Sequence, residues 1–113
     1  MKKLFLISIC IILFGCSDKT ILKGELICKD ICYYESKPYT GRVVDLYDSG
    51  QVSLELNYKG GKQNGFQRGW YQNEQIMWEG ERWENQKNGP WKTYYKSGQL
   101  KSEENFNGGE EEG

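Results

Sequence analysis

Apolar and polar side chains alternate along three stretches of this chain. Residues 52–58 place an apolar side chain at every second position, residues 76–81 repeat the alternation, and residues 100–106 show it more weakly. A period of two residues is typical of a β-strand with one buried face. A shorter aromatic stretch precedes each of the three, so the pattern predicts three pairs of strands. These shorter stretches are residues 43–47, 66–71 and 91–95.

The three strand pairs are copies of one pattern, spaced 24 residues apart. The aligned segments are Tyr47-Asp48-Ser49-Gly50-Gln51-Val52, Tyr71-Gln72-Asn73-Glu74-Gln75-Ile76 and Tyr95-Lys96-Ser97-Gly98-Gln99-Leu100. In phase with them are Gly41, Gly65 and Gly89, and also Glu55, Glu79 and Glu103. A fixed period of this size is typical of repeat proteins, in which each unit buries its apolar face against its neighbours. Stacking therefore explains the in-phase residues, which are weak candidates for a unique catalytic group.

The segments between paired strands carry the signals of tight hairpin turns. Gly50 and Gly98 end two of these turns, and glycine permits the positive φ that such turns require. Glu74 takes the same place in the middle copy, which predicts a turn that is either strained or of another type. We therefore expect an all-β fold: an antiparallel meander of β-hairpin repeats of about 24 residues that forms a single elongated twisted sheet.

The N-terminus has the order of a secretory signal. Lys2 and Lys3 precede an apolar run at residues 4–13, which is too short to span a hydrocarbon core of ~30 Å as a helix. The run ends in Leu13-Phe14-Gly15-Cys16, which resembles the lipobox of bacterial lipoproteins. That resemblance implies cleavage after residue 15 and a lipid on Cys16, hence anchoring to a bacterial membrane on the side facing away from the cytoplasm. An ordinary signal peptide and an uncleaved anchor are the alternatives.

Residues 1–15 are thus assigned to the signal, residues 16–24 to a polar tether and residues 25–37 to an N-terminal hairpin. Cys28 and Cys32 flank a three-residue connection within this hairpin, where they would face each other within disulfide range. Two free thiols of a half-buried strand are the open alternative. Because the chain contains no His, a mixed zinc site is excluded, and we predict no metal and no cofactor.

Residues 89–103 read Gly-Pro-Trp-Lys-Thr-Tyr-Tyr-Lys-Ser-Gly-Gln-Leu-Lys-Ser-Glu, which resembles the MORN-repeat variant. Pro38-Tyr39-Thr40-Gly41 is similar to the way that family opens its first copy. The likeness covers residues 38–109 and assigns residues 38–113 to the repeat domain, although Glu74, Gln67 and Trp83 depart from the family pattern. It implies a binding module, since bacterial members are commonly labelled YwqK-family antitoxins and eukaryotic members are membrane-associated scaffolds.

Charge and side-chain chemistry narrow the function further. Removal of Lys2 and Lys3 with the signal leaves 13 of the 15 basic residues and all 16 acidic residues, so the net charge of the remaining chain is −3. This charge does not indicate a basic surface that would bind nucleic acid. Without His, the Ser-His-Asp and Cys-His arrangements are excluded. Neighbouring carboxylates occur at residues 79 and 81 and at residues 103 and 104, but residues 79 and 103 recur in phase on the predicted polar face. We therefore predict that the protein is not an enzyme.

The four tryptophans are the remaining candidates for function. Trp78 and Trp91 occupy core-like phases, and we expect them to fill the core. Trp70 and Trp83 belong to the least regular copy and are the predicted partner-binding residues, because large exposed rings dominate interfaces. We expect a lipid-anchored binding module for a protein partner such as a secreted toxin. The alternative is an envelope scaffold that binds lipid headgroups or wall glycan.

Overall fold

A computed structural model describes residues 19–112 of the chain. A single turn of 3-10 helix, Lys23–Glu25, follows the first of twelve strands in this part of the chain. In chain order the strands are β1 (Thr20–Leu22), β2 (Ile27–Cys28), β3 (Cys32–Tyr34), β4 (Lys37–Pro38), β5 (Gly41–Leu46), β6 (Val52–Lys59), β7 (Lys62–Gln63), β8 (Gly65–Trp70), β9 (Ile76–Trp83), β10 (Gln86–Tyr94), β11 (Leu100–Asn107) and β12 (Glu110–Glu112). The predicted all-β class is confirmed.

Nine strands form one open sheet in the order β1-β5-β6-β8-β9-β10-β11-β12, with β7 paired to β6. All neighbours are antiparallel except β1 and β5. The three 24-residue copies are the hairpins β5/β6, β8/β9 and β10/β11, and each hairpin pairs with the next, which confirms the predicted meander. The structure adds a second, three-stranded sheet of β2, β3 and β4, which the expectation of a single sheet did not include.

The three hairpin turns share one geometry. In the first turn, the amide of Tyr47 donates a hydrogen bond of 2.8 Å to the carbonyl oxygen of Gln51. The amide of Gly50 donates a hydrogen bond of 2.9 Å to the carbonyl oxygen of Tyr47. The same pair of bonds closes the other two turns. Gly50 and Gly98 have φ angles of 92° and 96°, and Glu74 has a φ of 70°. Of the two expected alternatives, the middle turn is therefore the strained one, because it holds a Glu in the left-handed region.

One face of the sheet carries five charged residues of alternating sign, which we call the charged face. In order across β6, β8, β9, β10 and β11 they are Glu55, Arg68, Glu79, Lys92 and Glu103, each directly opposite the next. The Nε atom of Arg68 lies 3.8 Å from Oε1 of Glu79. Opposite charges in such pairs contribute roughly 0.2–1 kcal/mol each. The in-phase glutamates therefore recur as members of cross-strand pairs.

The opposite face, which we call the core face, carries the hydrophobic core at one end. Five side chains are buried there: Ile21, Tyr39, Val43, Leu56 and Tyr58. Val43 and Leu56 are directly paired across β5 and β6, while Ile21 lies on β1 and Tyr39 lies between β4 and β5, before the first hairpin. Because these N-terminal segments pack over β5 and β6, they cover only that part of the face.

The predicted tether is wrong for residues 20–24. Thr20–Leu22 form β1, which pairs in parallel with β5, and Ile21 is only 2% exposed. The carbonyl oxygen of Lys19 accepts hydrogen bonds from the Arg42 amide at 2.7 Å and the Tyr39 hydroxyl at 3.0 Å. The strand is held by these contacts with distant residues, so its own short apolar run gives little signal of it.

The structure joins Cys28 and Cys32 by a disulfide, with an S–S distance of 2.07 Å. The two residues are directly paired across β2 and β3, as the hairpin placed at residues 25–37 requires. The amide of Cys32 donates to the carbonyl oxygen of Gly61 at 2.8 Å, and its carbonyl oxygen accepts from the Tyr39 amide at 3.0 Å. The disulfide-closed hairpin is thereby fixed to the end of the first repeat.

Candidate functional site

A groove of about 390 Å³ opens on the core face, beyond the region covered by the N-terminal segments. Strands β6 to β10 supply its lining. Trp78 and Trp91 form the aromatic part, Leu54 and Leu56 the aliphatic part, and Gln63, Gln67, Thr93, Arg82 and Lys87 the polar part. A recess of this size, mostly apolar with a few convergent polar groups, is the usual form of a binding site.

Two glycines let the indole rings of the groove lie close to the sheet. Trp78 is directly opposite Gly69, where a Cβ would come within 2.5 Å of the indole Nε1. A Cβ at Gly80 would overlap the ring of Trp91 in the same way. The two rings are stacked, with centroids 5.7 Å apart and planes inclined by 17°. The structure therefore has a continuous aromatic surface at this point.

We expected Trp78 and Trp91 to fill the core, and this interpretation is corrected. Both rings are half-buried and line the open groove, although Trp78 also packs against the edge of the core. Gly69 and Gly80 are the sequence feature that could have indicated the position of these two rings. They are out of phase with the glycines of the turns and links, so repeat geometry alone does not explain them.

Two cations lie over the ring of Trp91. The Lys87 ammonium is 4.8 Å and the Arg82 guanidinium 5.2 Å from the ring centroid. Arg82 also donates to the carbonyl oxygen of Asn85 at 2.7 Å. Partial burial lowers the pKa of Arg82, and the nearby Tyr58 opposes this shift. Among the side chains that the structure describes, residues 19–111, no carboxylate lies within 4.0 Å of either cation, and the ion pairs found there lie on the charged face.

Gln67 brings a buried amide to the groove. Its side chain is 0% exposed, and its Nε2 donates to the carbonyl oxygens of Asn57 at 3.1 Å and Gly65 at 3.2 Å. Its Oε1 has no hydrogen-bond partner among the described residues. An unpaired buried acceptor costs roughly 1–3 kcal/mol. Gln67 occupies the place of Val43 and Trp91 in the other copies, so a polar group has been placed where the repeat favours an apolar one.

The predicted partner-binding residues are not brought together. Trp70 pairs with Ile76 at one end of the β8/β9 hairpin, whereas Trp83 follows Arg82 at the other end, roughly 20 Å away. Trp83 is 62% exposed and, by strand alternation from Arg82, faces away from the groove. Trp70 is half-buried, and its carbonyl oxygen accepts a hydrogen bond from the Tyr47 hydroxyl.

Two of the carboxylates considered for catalysis interact with neighbouring side chains. Glu79 pairs with Arg68 and accepts a hydrogen bond of 2.7 Å from the Tyr94 hydroxyl. Glu104 interacts with Glu111 and raises the pKa of the Glu111 carboxyl group. Residues 19–112 contain no group of three or more metal-ligating side chains.

In the part of the chain from residue 19 to residue 112, no helix is long and apolar enough to cross a membrane. The predicted signal at residues 1–15 and the lipidation site Cys16 lie outside the described residues. No protein-family model matches the chain, and neither a curated protein nor a solved structure is significantly similar to it.

Proposed function

We propose that this protein is a non-catalytic binding module, lipid-anchored in the bacterial cell envelope, that captures a protein partner in the groove on its core face. The observation that carries the proposal is the combination, at one place, of a half-buried aromatic surface with two cations that form no ion pair among the described side chains and a buried acceptor without a donor. Trp78 and Trp91 supply the surface, and Arg82, Lys87 and Gln67 supply the polar groups. An antitoxin or immunity role is the form of this function that the resemblance to MORN-repeat variants favours.

The chemistry of the lining supports binding over catalysis. Tryptophan and arginine are the residues most enriched among those that dominate protein interfaces. The hydroxyl of the groove, that of Thr93, forms a hydrogen bond of 2.5 Å with the Ser102 hydroxyl, and no base accompanies it in the lining. A nucleophile needs a neighbouring base or a lowered pKa to act. The groove thus offers contact area and hydrogen bonds rather than a reactive group.

The anchor would hold the groove close to the membrane. The first strand begins at Thr20, four residues after Cys16. An extended segment of that length reaches about 14 Å. A lipid on Cys16 would therefore confine the binding module to the immediate surface of the membrane, where it would meet partners that arrive from outside the cell.

The proposal is tested by capture of the partner in intact cells. The tagged protein is crosslinked with formaldehyde in the cells that make it, and the proteins recovered with it are quantified by mass spectrometry. We expect Trp78→Ala to reduce recovery of the partner at least about tenfold, since a central interface tryptophan contributes ≥ ~2 kcal/mol. Thr93→Arg, which fills the groove without removing a ring, should have the same effect.

Trp83→Ala is the matched control, because it removes an exposed ring of the other face. Circular dichroism of each variant verifies that it folds. Loss of the partner in Trp83→Ala alone would move the site to the charged face and contradict the proposal. Recovery of lipid or wall glycan without any protein would also contradict it and would favour the scaffold alternative.

A further inference from the structure

We infer that the groove takes an acidic peptide segment of the partner, with a carboxylate between Arg82 and Lys87 and a neighbouring apolar side chain against Trp78. The inference rests on the proposed function and adds the chemical class of the bound segment. It follows from the charge, the apolar surface and the unpaired acceptor of one recess.

The charge of the groove calls for an anion. Arg82 and Lys87 converge above one ring, and both lack a carboxylate within 4.0 Å in the described part of the chain. Lys87 also lies 4.9 Å from the ring centroid of Phe106 and favours the ionised form of Glu111, without an ion pair to it. Hydrogen bonds from such cations to a carboxylate are about twice as strong as neutral ones. A ligand carboxylate would give Arg82 and Lys87 the ion pair that neither forms among the described side chains.

A bare inorganic anion would contact only part of the groove, because much of the lining is apolar. Leu54, Leu56 and the outer part of Trp78 lie beside the two cations in the same recess. Burial of apolar surface contributes roughly 25 cal/mol per Å², which an inorganic anion would leave unused. An acidic residue next to an apolar one presents both chemistries at the spacing of one peptide.

Gln67 distinguishes a peptide from a sugar. Its buried Oε1 needs a donor, and a peptide backbone provides an N–H group beside its side chains. A neutral sugar ring would bring several hydroxyl donors at once, yet no carboxylate lines the groove to accept them. In addition, Lys87 and Arg82 already lie over the ring of Trp91 on which a sugar would stack.

The test uses a capped peptide of sequence acetyl-Gly-Leu-Asp-Glu-Leu-Gly-amide and its neutral analogue with Asn and Gln in place of Asp and Glu. Binding to the folded protein is followed by tryptophan fluorescence. We expect the acidic peptide to bind at least about tenfold more tightly than the neutral one, and the difference to shrink as salt is added. Equal binding of the two peptides, or no saturable binding of either up to about 5 mM, overturns the inference.

Charge variants locate the site. Arg82→Gln and Lys87→Gln should each weaken binding of the acidic peptide about fivefold or more while leaving the neutral analogue unaffected. Lys59→Gln removes an exposed charge outside the groove and is the matched control. Gln67→Leu should weaken both peptides alike, because it removes the acceptor for a backbone amide. An equal effect of Lys59→Gln and Lys87→Gln would show that net charge, not the groove, attracts the peptide.

An acidic saccharide is the other arm of the test. A disaccharide of glucuronic acid that binds more tightly than the acidic peptide would overturn the peptide assignment. Partner capture that depends on Trp78 but not on Arg82 or Lys87 would leave the protein-binding function standing and contradict only the acidic class. The failure of the inference and the failure of the proposed function are thus separate results.

Discussion

The hydroxyl of Tyr71 donates a hydrogen bond of 2.8 Å to the carbonyl oxygen of Tyr94, and so ties the turn of the second hairpin to the third. The Tyr47 hydroxyl makes the equivalent bond to the carbonyl oxygen of Trp70. In its first two copies, the tyrosine that recurs every 24 residues therefore joins consecutive repeats by a hydrogen bond. Tyr95, its third copy, is 49% exposed.

Removal of this hydrogen bond should lower the free energy of unfolding measurably. We expect Tyr71→Phe to lower the free energy of unfolding by about 1 kcal/mol, because the half-buried carbonyl of Tyr94 loses its donor. Tyr95→Phe is the control, and we expect it to change stability by less than about 0.5 kcal/mol, as is usual for exposed positions. Urea unfolding measures both. Equal effects of the two variants would contradict the role of the Tyr71 hydroxyl in joining the second and third repeats.

Two substitutions in the turns should change the stability of the fold in different directions. Gly98→Val should cost at least about 1 kcal/mol, because a β-branched residue is strained at a φ of 96°. Glu74→Gly should be neutral or stabilise by up to about 1 kcal/mol, since it relieves a residue held at a φ of 70°. Gly24→Ala, whose new Cβ would meet nothing within 4 Å, is the control. Thermal unfolding that ranked Gly98→Val above Glu74→Gly would show that the hairpin register is mistaken.

The aromatic surface depends on two glycines. Gly80→Ala should displace the ring of Trp91, and Gly69→Ala that of Trp78, because each new Cβ would meet the indole. Neither glycine has a positive φ, so the effect would come from this contact alone. We expect the near-ultraviolet circular dichroism of the stacked indoles to be reduced by more than about half. An unchanged spectrum in both variants would mean that the rings do not stack in solution.

Stability should fall at alkaline pH. Burial raises the pKa of Tyr39 and, to a smaller extent, that of Tyr58 above the value near 10 of an unfolded chain. The neutral phenols therefore stabilise the fold fully below about pH 10, and this contribution is lost as the pH rises further. Tyr39→Phe should lower the melting temperature at neutral pH, because the hydrogen bonds from its hydroxyl to the carbonyl oxygens of Lys19 and Arg42 are lost, and should flatten the loss of stability above about pH 10. A parallel loss in both proteins would contradict the role of Tyr39.

Anchoring is tested independently of the fold. We expect labelled fatty acid to enter the chain through Cys16, and Cys16→Ala to leave the membrane fraction, because the variant lacks the acylated thiol. Cys28→Ala with Cys32→Ala is the control, since the structure pairs these two cysteines with each other. Retention of uncleaved Cys16→Ala in the membrane would show that the lipoprotein interpretation is wrong.

The fold was largely predictable because its signals are local. Alternation over residues 52–58 and the glycines of the turns gave the hairpins, and the 24-residue period gave their order. Strand β1 was not predictable in this way. Its three residues are held by pairing with β5 and by bonds to the Lys19 carbonyl, which depend on residues about 20 positions away.

The groove was predictable only in part. The sequence pointed to Trp70 and Trp83, neither of which lines the groove, and placed Trp78 and Trp91 in the core. The period-2 pattern does not say which part of an apolar face another segment will cover. Ile21 on the edge strand β1 and Tyr39 pack with Val43 and Leu56 of β5 and β6, whereas Trp78 and Trp91 line the open groove. Gln67 was noted as a departure from the family pattern, whereas its buried and unpaired oxygen became visible only once the strands were placed.

The central claim, that the core face rather than the charged face meets the partner, is tested most directly at two consecutive residues of β10. Thr93 lines the groove, and Lys92 pairs with Glu79 and Glu103 on the charged face. A small photoreactive amino acid with a diazirine side chain, which leaves room for a ligand in the groove, is placed at each position in turn, cells are irradiated, and protein adducts are quantified by mass spectrometry. We predict that position 93 gives a specific protein adduct and that position 92 gives none. An adduct at position 92 alone, or none at either position, would contradict the claim.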